Sequence, residues 1–292
     1  MTPMAGVWWL ASYPKSGNTW LRAAIATLVS GRPVDINAMS FLGPICSDRT
    51  VVDDTLGIDS AELSVEQETD LRPRAYETWA TEAKRPLYCK VHDAYQLTPA
   101  GEPLFPGSTT LGAVYVVRDP RAVAVSFAHH MAQPVEAAIT RMDDPAAAFS
   151  GSTTRLTRQL RQLLLRWSDH VESWLAAPFP VHLLRYEDMQ GDPRSAFADV
   201  AAFLRLPCDT ESIAAAVEAT AFPRLQAQER ETGFFEKPPG AAVFFREGGI
   251  DGWRRTLTPE QAARIVGAHG AVMRRLGYDV TLAPVTAERG AA

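Results

Sequence analysis

Residues 7–20 read VWWLASYPKSGNTW. The apolar run 7–12 is short and ends at Tyr13-Pro14 and Gly17, so it predicts a buried strand. Trp20, Leu21, Ala24, Ile25 and Leu28 then recur at helical spacing, with Asn18 as the expected N-cap and Gly31 as the stop. Strand, loop and helix in that order bring backbone N–H groups and the positive end of a helix dipole to one point, which suits an anion. Gly17 lets the backbone come close to that anion, because a Cβ would intrude. Lys15 adds a mobile positive charge, and Ser16 and Thr19 add hydroxyl donors. The plain alternative is a strand-to-helix turn with a solvated lysine.

The loop does not specify a site for ATP and Mg²⁺. A Walker A loop places its lysine directly after the last glycine and follows it with a hydroxyl residue on the metal. Here Lys15 comes before Gly17.

Working outward, 86–92 and 111–120 predict two more strands, and Asp119-Pro120 caps and opens a helix after the second. Ser64-x-x-Gln67 is a capping-box signal for a helix to about residue 83, bent at Pro73. Residues 133–153 look loop-like, and an amphipathic helix is expected over about 154–176. A strand follows at 181–188, and Asp192-Pro193 opens a helix to about 204. Helical stretches are expected near 210–230, and Thr258-Pro259-Glu260-Gln261 starts a last helix to about 276. Strands alternating with helices predict an α/β fold, a mainly parallel sheet with helices on both faces. The expected organisation is one domain over 1–280 and a flexible tail at 281–292.

The bulk composition narrows the function classes. A net charge of −5 over 292 residues gives no nucleic-acid footprint, so any anion site is a local cluster. Cys46, Cys89 and Cys208 are odd in number and far apart, which argues against a disulfide framework or structural zinc and for a reducing cytoplasm. No stretch has the length and apolarity of a signal peptide or membrane span.

The segment 111–120 ends in Arg118, at the carboxyl end of its strand, where open α/β sheets bind ligands. Ser126 follows within the next helix, so a guanidinium fork and a hydroxyl can hold a second anion. In YCKVHDAY (88–95), Lys90 and His92 are two apart on a strand and face the same way, about 6–7 Å from each other.

YPKSGNTW (13–20), RDPRAVAVSF (118–127), LLRYEDM (183–189) and FFREGGIDGW (244–253) together resemble the PAPS-dependent sulfotransferase family in order and spacing, over residues 8–255. The resemblance implies a three-layer, P-loop-kinase-like fold. It implies 3′-phosphoadenosine-5′-phosphosulfate (PAPS) as donor, 3′,5′-diphosphoadenosine (PAP) as product and no metal. Lys15 corresponds to the lysine at the 5′-phosphosulfate, and Ser16, Gly17, Asn18 and Thr19 line the same loop. Trp20 flanks the adenine, Arg118 and Ser126 match the 3′-phosphate contacts, and Tyr186 matches a tyrosine at the adenine edge. Thr220 and Phe222 resemble a Thr-x-Phe adenine contact, and Phe245, Arg246 and Gly248 belong to a late loop over the 3′-phosphate. The family carries Lys-x-His where Lys90 and His92 stand, which makes His92 the general base and Lys90 a cation for the sulfuryl oxygens.

The implied acceptor is a small molecule with a hydroxyl or amine, under loops 36–58, 131–152 and 231–245, with Phe41, Phe234, Phe235, Phe244 and Phe245 as a candidate wall. The first loop and the chain length look more like bacterial sulfotransferases, including those that modify natural products, than membrane-anchored Golgi enzymes. Two features depart from cytosolic members. Glu247 stands where Arg-Lys-Gly is usual, so it is expected to face solvent while Arg254 or Arg255 compensates, or else donor affinity is weaker. The family's short dimer motif is not matched by RRTLTPEQAA (254–263), which leaves monomer or homodimer open. His129 and His130 are adjacent and diverge on a helix, so they share no metal; His170, His182 and His269 are expected to be surface or satisfied interior groups, and Arg155, Arg158, Arg161 and Arg166 a solvated helix face. A P-loop-type nucleotide kinase and a non-catalytic nucleotide-binding protein remain as alternatives.

Overall fold

The computed structural model describes residues 5–150, 156–238 and 240–281. Its frame is a four-stranded, wholly parallel sheet of β1 (Val7–Ser12), β2 (Leu87–Val91), β3 (Thr110–Val117) and β6 (Val181–Arg185), in the order β2-β1-β3-β6. β4 (Ala148–Phe149) and β5 (Gln162–Leu163) form a separate short antiparallel pair.

The helices are α1 (Asn18–Ser30), α2 (Arg49–Leu56), α3 (Val65–Glu82), α4 (Pro120–Met131), α5 (Val135–Met142) and α6 (Trp167–Leu175). They continue with α7 (Tyr186–Gly191), α8 (Pro193–Leu204), α9 (Thr210–Ala219), α10 (Phe222–Thr232), α11 (Trp253–Thr256) and α12 (Pro259–Arg275).

Period-two alternation along the central strands feeds two cores. Trp9, Ala11, Ala113, Tyr115 and Val117 pack on one face with α3, α4, α6 and α12. Trp8, Leu10, Val114 and Val116 pack on the other with α1, α8 and α9. All six residues of β1 are buried, as a strand covered on both faces requires. Each large side chain buried this way contributes about 1.5–3 kcal/mol relative to exposure. β1 is followed in sequence by β2 on one side but has β3 on the other, so the crevice at the carboxyl ends of β1 and β3 is the switch point where such sheets hold ligands.

The capping boxes at Ser64–Gln67 and Thr258–Gln261 form as expected, and α3 runs through Pro73. Four expectations are corrected. Gly17, not Asn18, caps α1, because the Asn18 amide is spent on the Leu10 carbonyl at 2.7 Å. The loop-like 133–153 contains α5 and β4. The helix expected over 154–176 is only α6. Upstream of it Leu160, Gln162 and Leu164 are buried at every second position, a strand-like register that tertiary packing selects over the helical one. The strand at 181–188 stops at Arg185, and the chain turns into α7 at Tyr186.

No helix among the described residues therefore carries these arginines as a face, although Arg158 and Arg166 are solvated, with side chains 73% and 47% exposed. Arg158 pairs with Asp48, the Arg161 carbonyl accepts from Arg72, and Arg155 lies outside the described residues. The expected tail lies outside them too, apart from Thr281. Among the described residues no helix is long and apolar enough to cross a membrane.

Candidate active site

A cavity of about 430 Å³ opens at the switch point. It is lined by the β1–α1 loop, the carboxyl ends of β2 and β3, one face of α4, the start of α7, and the segment between α10 and α11. Every sequence-predicted site residue lines it except Ser16, which is buried directly behind the loop.

The loop is tightly constrained. Lys15 and Gly17 both have positive φ, 69° and 108°. A Cβ on Gly17 would lie 2.6 Å from the Tyr186 ring, so this glycine is required by the packing of α7 as well as by its backbone. The buried hydroxyl of Ser16 and the Nε of Arg118 have no protein partner. Buried polar groups are almost always paired, so such atoms at one crevice mark a place for a polar ligand.

Cations converge here. The Lys15 ammonium donates to Nδ1 of His130 at 3.2 Å and sits 4.1 Å from the Phe244 ring centroid. Burial, helped by the charges of Lys90 and Arg118, pushes its pKa down to about 7. Arg118 lies 4.1 Å over the Tyr186 ring and donates to the carbonyls of Lys15 (3.2 Å) and Gly249 (2.8 Å). Ser126 is one turn before His130 on the same face of α4.

His92 follows β2 directly. Its Nδ1 is 2.9 Å from the Ser12 carbonyl, which can only accept, so Nδ1 carries the proton and Nε2 is left as the acceptor. Burial and the neighbouring Lys90 hold its pKa well below the usual histidine value, which keeps the ring neutral. Its carbonyl accepts from His170 Nε2 at 3.1 Å, and His170 Nδ1 accepts from the Tyr115 hydroxyl at 2.8 Å. His170 is thus a satisfied interior group, as expected.

The end of the cavity away from His92 is aromatic. Trp20 donates to the Thr220 hydroxyl at 3.3 Å and packs edge-on against Tyr186. Tyr186 donates to the Gly248 carbonyl at 2.5 Å, and a Cβ on Gly248 would lie 2.7 Å from Phe222. Glu229 accepts from the amides of Phe244 and Phe245 at 2.6 and 2.8 Å, and Gln226 donates to the carbonyls of Phe245 and Arg246. Glu247 is about half-exposed but also lines the cavity, and it pairs with Arg246 at 2.9 Å. Arg254 is committed to Asp251 at 3.1 Å.

Of the expected aromatic wall, Phe235, Phe244 and Phe245 line the cavity; Phe234 packs behind them, and Phe41 is an exposed residue under Arg85. Sequence reasoning missed Phe149, Glu236 and the inward turn of His130. His130 was legible as Ser126 plus four on a helix; Glu236 stands in an aperiodic segment and gave no signal.

The sulfotransferase domain family model matches residues 7–277. The flavonol 3-sulfotransferase of Flaveria bidentis is 24% identical over 287 residues, covering 91% of this chain and 83% of that one. A mouse sulfotransferase solved with PAP superposes with a TM-score of 0.60 at 18% identity, over 92% of this chain and 85% of the other. A retinol dehydratase solved with retinol and PAP gives 0.59 at 20%, over 93% and 82%. These structures show a shared fold, and a family match across nearly the whole chain adds the chemistry: the chain belongs to the sulfotransferase domain family and is a sulfotransferase.

Proposed function

We propose that the chain, as one domain over 1–280 working in the cytoplasm, moves a sulfuryl group from PAPS to a hydroxyl or amine of a small molecule. The observation that carries this is the bond from His92 Nδ1 to the Ser12 carbonyl, which leaves a neutral imidazole with a free Nε2 in the same cavity as Lys15 and Arg118. The orphaned Ser16 hydroxyl and Arg118 Nε, and the cations around them, fit an anionic nucleotide. When bound, PAPS supplies an activated sulfuryl group whose bond to the 5′-phosphate oxygen breaks as a bond to the acceptor forms.

The protein's part is positioning and charge. Ser16, Gly17, Asn18 and Thr19 hold the 5′-phosphate end, and Arg118, Ser126, Arg246 and Gly248 the 3′-phosphate. Trp20, Tyr186, Thr220, Phe222 and Phe245 take the adenine. His92 Nε2 removes the acceptor proton, Lys90 attends the sulfuryl oxygens, and Lys15 steadies the negative charge that grows on the leaving oxygen. Phe149, Phe235 and Phe244 shape the acceptor end.

Turnover with labelled PAPS across a phenol, alcohol and amine series tests the reading. Lys15→Ala and His92→Ala are each expected to lower kcat at least about 100-fold, with PAP affinity kept in His92→Ala. Full activity in His92→Ala overturns the base assignment.

A further inference from the structure

One carboxylate enters the reactive end of the cavity. Glu236, in the aperiodic segment 233–252, lines it beside Lys90 and His92. Its Oε1 accepts from Arg22 of α1 at 2.6 Å and its Oε2 from Lys90 of β2 at 2.7 Å. The side chains of Arg22, Glu236 and Lys90 are only 4%, 7% and 11% exposed. Burying three charges costs several kcal/mol per ion before pairing, so such a triad is a weak device for stability and a good one for fixing position.

The charges around Lys90 say what it fixes. The Arg22 guanidinium from α1 is one neighbouring cation, Lys15 from the β1–α1 loop is another only while it is protonated, burial having pushed its pKa down to about 7, and His92 and His130 present neutral rings. Glu236 is the one carboxylate bonded to Lys90 among the described residues. Two cations and one anion leave the triad at +1. Without the carboxylate, two buried cations would face each other unshielded, and the lysine is the one able to shed its proton.

We propose that Glu236 is a positioning residue for sulfuryl transfer: it fixes the Lys90 ammonium beside His92, keeps it charged, and ties the roof segment 233–252 to the reacting end of the cavity. The proposal rests on the reading of Lys90 as the cation that attends the sulfuryl oxygens. Burial lowers the Lys90 pKa and Glu236 is the leading opposing influence, in agreement with the geometry. Glu236 is itself held at about 2, because Lys90 and Arg22 outweigh the rise that burial alone would cause.

Glu236→Gln tests this with two readouts. The first needs no acceptor: the rate at which a small N-hydroxysuccinimide ester acylates Lys90 is followed by mass spectrometry across the alkaline range. Lys90 is expected to become reactive at least about one pH unit lower in Glu236→Gln than in the parent protein, with Glu236→Asp restoring part of the difference. The second is the pH profile of kcat/KM with PAPS. Its alkaline limb should shift the same way, kcat should fall at least about tenfold, and PAP affinity should change less than about threefold. In a Lys90→Met background the Gln substitution should no longer move the limb. Unchanged Lys90 labelling in Glu236→Gln, or the same limb shift without Lys90, overturns the proposal. Shifted labelling in a protein whose parent form transfers no sulfuryl group would instead remove the functional reading and leave the charge role standing. Should Glu236→Gln fail to fold, Glu236→Asp carries the labelling test alone, and a parent-like Lys90 profile there counts against the proposal.

Discussion

The cavity has a floor and a roof built by opposite means. The floor, the β1–α1 loop, has a local brace inside its own unit, where the Asn18 amide donates to the Leu10 carbonyl and the Ser12 hydroxyl, eight and six residues back, in addition to the distant ties from Arg118 and His130. The roof, 233–252, contains no helix or strand among the described residues. Glu229 and Gln226 of the adjoining α10 hold Phe244, Phe245 and Arg246, and its other polar fixings come from far along the chain: Asn37 to Gly233 and Phe235, Arg22 and Lys90 to Glu236, Tyr186 to Gly248, and Arg118 to Gly249. A loop stabilised by local contacts forms with its strand and helix. A roof with no secondary structure of its own, held by polar latches and a few buried phenylalanines, is expected to form after the floor and to open before it. The floor is therefore expected to be preorganised for the nucleotide, and the roof to admit the acceptor and release product.

The sharpest way to break this contrast is Gly17→Ala. The new Cβ meets a φ of 108° and the Tyr186 ring at 2.6 Å. Backbone strain alone costs on the order of 1–3 kcal/mol, and overpacking adds to it. Thermal unfolding should fall clearly, and PAP affinity should drop at least about tenfold, because Tyr186 is displaced toward the adenine end. Gly31→Ala is the control. It also sits at positive φ, 64°, but nothing lies within 4 Å of the new Cβ. That variant should lose about 1–2 kcal/mol of stability from its left-handed backbone and bind PAP as before. Equal losses of affinity in both variants would show that the floor is not preorganised.

Lys15 belongs to both regions, since it rises from the floor and lies against Phe244 of the roof. Its pKa is pushed down to about 7, chiefly by burial. An anionic nucleotide favours the charged form and so raises that pKa again. Binding must then take up a proton wherever the free lysine has lost its own, above about pH 7. The Lys15 contribution to PAP affinity is expected to be lost as pH rises above about 7, on top of the protonation of PAP's own phosphates below about pH 6. Calorimetry in buffers of different ionisation enthalpy should show proton uptake at pH 8 that vanishes in Lys15→Met. His92 sets no limit on the acid side within the usual histidine range, because burial and Lys90 hold its pKa well below it and keep the ring neutral.

Legibility in the sequence divides along the same line. The strand–loop–helix unit, the Arg118–Ser126 pair and Lys90–His92 could be read directly, because each is fixed by spacing within one element or across one short loop. What escaped depends on neighbours that sequence spacing does not encode. Leucines at 160 and 164 fit a helix as well as a strand until the strand-like register against β4 decides. Asn18 has the residue type of a cap, but the carbonyl it satisfies is on β1. Glu236 is one of many acidic residues in the chain, and only the folded roof brings it between Arg22 and Lys90.

The smallest expected effect tests the roof at its most exposed point. Arg246 and Glu247 pair at 2.9 Å with side chains 34% and 48% exposed. A pair so open to water adds little to stability. It does, however, offset the arginine's charge where the 3′-phosphate is proposed to sit. Glu247→Gln removes one negative charge and Glu247→Lys reverses it, so PAP affinity should rise in that order, by about three- to tenfold for the lysine. The gain should shrink as salt is raised from about 0.01 to 0.15 M, because the Debye length falls from about 30 to 8 Å. Melting temperature should stay within a degree or two of the parent, since no buried group changes. If neither substitution alters affinity at low salt, Arg246 does not face the nucleotide, and the roof's contribution to donor binding reduces to Arg118 and the Tyr186–Gly248 contact.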